Sequence, residues 1–176
     1  MIRSRAMSVD VSGTHLYLGT DSGLEIHNIS QPSAPSLVHS MALPGLVGGV
    51  VVQGNYAYLA TTLVGLLVVD VSTPSAPVTL GTFTFPETED SYYSVTSLLV
   101  RNGYAYISTN ETGIRIVNVA VPQVPVEVGA VPDPSSSFGA ATSGQYLFVG
   151  RGDALQILDL LVPQSPTLIS QVALAD

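Results

Sequence analysis

The chain has 176 residues, enough to bury a sizeable core in one large domain or two small ones. It is 46% hydrophobic and only 10% charged, which excludes a disordered chain. The net charge of −8, without a single lysine, opposes phosphate backbones and anionic membranes, and the absence of cysteine removes disulfides, thiolate chemistry and Cys-ligated zinc.

The segment Met1–Met7 carries two arginines and no apolar stretch of signal-peptide length, and residues 1–8 read as an N-terminal extension. No apolar run further on approaches the ~20 residues of a membrane span. From residue 9 to residue 176 one pattern recurs four times, over about 9–45, 50–86, 96–134 and 139–174. Tyr17, Tyr58, Tyr106 and Phe148 anchor it. Gly13, Gly54, Asn102 and Gly144 stand four residues before them. Each copy then has an apolar run ending in Asn28, Asp70, Asn118 or Asp159. A Pro-x-x-Pro step follows, at Pro32 and Pro35, Pro74 and Pro77, Pro122 and Pro125, and Pro163 and Pro166. Eight of the twelve prolines share this register.

Each copy reads as four short strands. The second copy shows them best, at Val50–Val52, Ala57–Ala60, Leu66–Val71 and Val78–Phe83. β-Branched and aromatic residues fill the strands, Gly, Asn, Ser and Pro punctuate them, and no helical period is sustained. The third strand of copy two is almost wholly apolar, so both its faces must be covered. The expected fold is all-β and β-propeller-like, with four repeats each forming a four-stranded antiparallel blade.

The run Gly65-Leu66-Leu67-Val68-Val69-Asp70-Val71-Ser72, followed by Pro74, resembles the LVIVD repeat family. The resemblance covers residues 9 to about 174. It implies a β-propeller, a surface or secreted location, and no assigned chemistry. Copies one and four depart most: His27 stands in the column of Val69, and Ala154 replaces a turn glycine.

His15, His27 and His39 have a spacing that invites a metal reading. The repeat instead places them in an aromatic column, a core column and a glycine column, and His15 and His27 should face opposite ways. The Asn28, Asp70, Asn118, Asp159 column alternates amide and acid. That suits an acceptor oxygen tying the next turn, not a general acid or base. The Pro-x-x-Pro steps read as turn chemistry rather than as ligands of proline-reading domains. Arg151-Gly152-Asp153 spells an integrin-recognition tripeptide on a hairpin. Arg151 and Asp153 are candidate binding residues, against the plainer reading of a polar turn.

Between copies two and three lie about seven extra residues within 85–93. Glu87, Glu89 and Asp90 offer the hard oxygens that Ca²⁺ takes, though a solvated acidic loop is the favoured reading. Tyr92 and Tyr93 are candidates for a contact patch. No nucleophile-elbow, phosphate-loop or zincin motif occurs, so no catalytic residue is named. The expectation is a non-enzymatic scaffold or interaction module, surface-associated or self-assembling, with a homo-oligomer or another propeller segment as partner. No cofactor is required, and Ca²⁺ is the one candidate. The alternative is a ligand-binding or enzymatic propeller with its site at a central channel or at the acidic loop.

Overall fold

The computed structural model describes residues 4–85, 94–110, 112–132 and 137–174. Sixteen strands and no helix occur among the described residues. They form four antiparallel sheets, each ordered as in the chain. The first holds β1 (Ala6–Ser12), β2 (His15–Thr20), β3 (Gly23–Asn28) and β4 (Ser36–Ala42). The second holds β5 (Val47–Gln53), β6 (Tyr56–Thr61), β7 (Gly65–Asp70) and β8 (Val78–Thr84). The third holds β9 (Val95–Arg101), β10 (Tyr104–Thr109), β11 (Gly113–Asn118) and β12 (Val126–Val131). The fourth holds β13 (Ser137–Ser143), β14 (Tyr146–Arg151), β15 (Ala154–Asp159) and β16 (Thr167–Ala173). The fold class is thus all-β and β-propeller-like, as the four copies of the motif require.

The first strand of copy one begins three residues before Val9. Ala6 pairs with Thr20 and Ser8 with Gly19, so Met7 is an extra, bulged residue. Residues 6–8 therefore belong to the first sheet and not to an extension. Their sequence, Ala-Met-Ser, lacks the β-branched signature, which hid them. What recruits them is pairing: the Arg5 carbonyl also accepts from the Asp21 N–H at 3.1 Å.

The same local devices recur in every sheet. The first two strands are joined by a two-residue turn whose leading residue has positive φ: Gly13 at 58°, Gly54 at 58°, Asn102 at 50° and Gly144 at 56°. Such turns match the right-handed twist of a hairpin, which explains Gly or Asn in that column. Between the third and fourth strands each sheet bulges at one column, leaving Val38, Leu80, Val128 and Ile169 unpaired. A bulge bends the outer strand and sharpens its twist. After the third strand, each first proline sits second in a hydrogen-bonded turn. Ala34 N–H donates to Gln31 O, Ala76 to Thr73, Val124 to Val121 and Ser165 to Val162, at 2.8–3.0 Å. Proline presets the φ that this position needs.

The sheets fall into two compact units. The first unit contains sheets one and two with the turn Val121–Pro125, and the second contains sheets three and four. In the first unit, Tyr17, Leu24 and Ile26 pack on Ala57, Leu59 and Val69. In the second unit, Tyr106, Ile114 and Ile116 pack on Leu147, Val149 and Leu158. These are equivalent columns, so one contact is built twice. Burying each such side chain is worth about 1.5–3 kcal/mol. In β7, every residue from Gly65 to Val69 is buried, so both faces of that strand are covered. Gly81 and Gly129 share a further column. Within each unit a turn presses on it: a Cβ on Gly81 would run into Pro122 O, and one on Gly129 into Gln164 O.

Candidate functional site

The Asn/Asp column does what its alternation implied. Asn28 Oδ1 accepts from Ser30 N–H at 2.8 Å, Asp70 from Ser72 at 2.8 Å, Asn118 from Ala120 at 2.9 Å and Asp159 from Leu161 at 2.7 Å. Each is an Asx turn leading into the proline step. The hydrogen bonds from Ser72 hold the Asp70 carboxyl below the usual carboxylate range. The tyrosine column is likewise structural. Burial pushes the phenols of Tyr17, Tyr58 and Tyr106 up, so they stay protonated.

The histidines do not converge. His15 pairs with Asn28 and His27 with Leu16, so their side chains leave opposite faces of the first sheet. His27 Nε2 lies 2.9 Å from Glu25 Oε2 on the face away from the core. His39 pairs with Ile26, in the column of Gly81 and Gly129. Among the described residues no three metal-ligating side chains cluster. Glu87, Glu89, Asp90, Tyr92 and Tyr93 lie outside the described residues.

Arg151 and Asp153 flank the turn between β14 and β15. Arg151 is half-buried and Asp153 exposed. Arg151 stands where the other copies carry a buried threonine. Thr20 Oγ1 donates to Gly23 O and Thr109 Oγ1 to Gly113 O, while Thr61 Oγ1 accepts from Val64 and Gly65 N–H. Arg151 instead lines a cavity of about 340 Å³ with Val131, Gln156 and Leu158, within the second unit.

One column escaped the sequence reading. Its members are Glu25, Leu67, Arg115 and Gln156, polar in three copies and apolar in one. Each polar member finds a partner inside its own sheet: His27 for Glu25, Glu127 for Arg115 at 2.7 Å, and Gln171 for Gln156 at 3.3 Å. Only a comparison of all four copies column by column would have exposed it, because no single copy looks unusual.

The LVIVD repeat model matches residues 4–42, 44–84, 94–133 and 139–173. No curated protein matches the chain. Among solved structures, the computationally designed Ika8 protein superimposes with a TM-score of 0.70 at 12% identity, over 95% of this chain and 48% of that one. The chain thus spans about half the length of Ika8. The computationally designed Ika4 protein superimposes with a TM-score of 0.67 at 12% identity, over 99% of this chain and 94% of that one. At such identity the likeness is one of fold alone. With four matches that together span most of its length and the same turn, bulge and proline step in every sheet, the chain belongs to the LVIVD repeat family.

Proposed function

We propose that the chain is a non-enzymatic scaffold and interaction module that assembles with further copies of itself through its first and last sheets. The observation that carries this reading is the state of two sheet faces. Within each unit, the face bearing Tyr17, Leu24 and Ile26, or Tyr106, Ile114 and Ile116, is buried by the sheet that follows. The equivalent face of the fourth sheet bears Phe148, Leu155 and Ile157, which are only half-buried, and Val172, which is 50% exposed. The receiving face of the first sheet carries Leu16 and Leu18, with Val9 57%, Val11 52% and Leu37 58% exposed. Apolar surface of this kind seeks cover. A second copy supplies cover by the contact that both units already use. The Glu25–His27 pair on the receiving face enters already hydrogen-bonded.

Light scattering on a size-exclusion column at micromolar concentration tests the assembly. The expected mass is a multiple of 18.3 kDa. The double variant Val9→Glu, Val11→Glu, and separately Leu37→Glu, should reduce it to a single chain with an unchanged β-type circular dichroism spectrum. A wild-type mass of one chain, or soluble variants that keep the wild-type mass, would overturn the proposal.

A further inference from the structure

The first turn of the third repeat departs from the other three. Arg101 stands where they carry Ser12, Gln53 and Ser143. Asn102 is the one non-glycine residue with positive φ among those described. Next to this turn, still inside the second unit, lies a cleft of about 260 Å³. Arg101, Asn102 and Tyr106 contribute from the third sheet, and Gln145, Leu161 and Pro163 from the fourth repeat.

The Glu25–His27 hydrogen bond and the Arg115–Glu127 ion pair do not involve Arg101. Arg101 is half-buried. Its charge reaches the Tyr106 phenol, opposing part of the upward shift that burial imposes. Two lining residues of the fourth repeat, Gln145 and Leu161, are held by one carboxylate. Asp159 accepts from Leu161 N–H at 2.7 Å and from the Gln145 amide at 3.1 Å. Among the described residues that line the cleft, Arg101 is the charged one.

A guanidinium fork matches a carboxylate with two parallel hydrogen bonds. The net charge of the whole protein, −8, repels polyanions and leaves a single negative charge as the acceptable load. Leu161, Pro163 and the Tyr106 ring supply apolar walls. The volume falls below the ~300–1,000 Å³ of drug-sized pockets, so the occupant is small. We propose that this cleft binds a carboxylate carried on a small apolar group, with Arg101 holding the anion. A free organic acid and the last residue of a peptide share that chemistry.

Calorimetric titration of the full chain tests it with three probes: sodium benzoate, an acetylated dipeptide ending in leucine with a free carboxylate, and the same dipeptide as its amide. At least one acid should bind saturably, and the amide should not. Arg101→Gln should weaken the acid about tenfold, the effect of one charge-assisted contact. Glutamine is the residue of this column in the second repeat, so the fold should accept it, as circular dichroism would verify. Arg101→Lys keeps the charge, loses the fork, and should fall between wild type and Arg101→Gln. Benzoate binding alone would assign the site to free acids, and peptide binding alone to chain termini. The proposal fails if neither acid saturates up to about 10 mM, if the amide binds as well as the acid, or if Arg101→Gln and Arg101→Lys bind as wild type does.

Discussion

The two units solve the same packing problem with the same apolar columns but finish it differently. In the first, two side chains of β1 reach across to β5. Ser8 Oγ donates to Val47 O at 3.0 Å, and Asp10 Oδ2 accepts from Val52 N–H at 2.7 Å. In the second, the column of Asp10 holds Leu99, which packs against the apolar cluster. The neighbouring column places a buried Ser108 Oγ without a hydrogen-bond partner where the first unit has Gly19. The lesson is that apolar columns transfer between repeats, whereas polar links are fitted to each pair of sheets. Apolar contact needs only shape, but a hydrogen bond needs a donor and an acceptor at one distance and angle.

The largest test of this comparison truncates its shared part. Ile26 and Ile116 are both fully buried at equivalent positions. Ile26→Ala and Ile116→Ala should each cost about 2–5 kcal/mol in urea unfolding. Costs that differ by more than the spread within that range would break the equivalence of the two units. A middle-sized effect belongs to the first unit alone. Asp10→Ala leaves the Val52 N–H without its acceptor and should cost about 1–3 kcal/mol, whereas Leu99→Met in the second unit should cost under about 1.5 kcal/mol. Thermal unfolding of the pair would sharpen or erase the distinction between fitted and generic contacts.

The smallest effect concerns the turn column that both units share. The folded Asp70 carboxyl titrates below its ordinary value of 3.8. Its contribution is therefore complete above that value and is lost as pH falls through the lower, folded pKa. Asp70→Asn keeps the acceptor oxygen that Asn28 and Asn118 already use in this column, so neutral stability should be unchanged and this acid loss should vanish. A carboxyl NMR titration of Asp70 at or above the ordinary value would contradict the turn geometry.

Much of this was legible in the residues. The proline step, the positive-φ turn and the Asx column are each local: one residue type meets one backbone demand within four positions. Four copies then let the demands confirm one another. The burial of both faces of β7 followed from its unbroken apolar run. The site was far less legible. Arg101 looked like an ordinary strand-end residue, because its interest comes from Gln145, Leu161 and Pro163, some forty to sixty residues away. Ala6 and Met7 were misplaced for a related reason, since their strand state depends on a partner strand and not on their own propensity.

The residues alone dictated the unit of construction: four strands, their turns and their family. These rest on short-range sterics and on alternation along a strand, which need no knowledge of neighbours. Which polar side chains meet a partner, which stand beside a cleft, and which sheet faces remain partly bare emerged from the folded arrangement. Those outcomes depend on distances between residues far apart in the chain, and burial and hydrogen bonding respond to distance rather than to order.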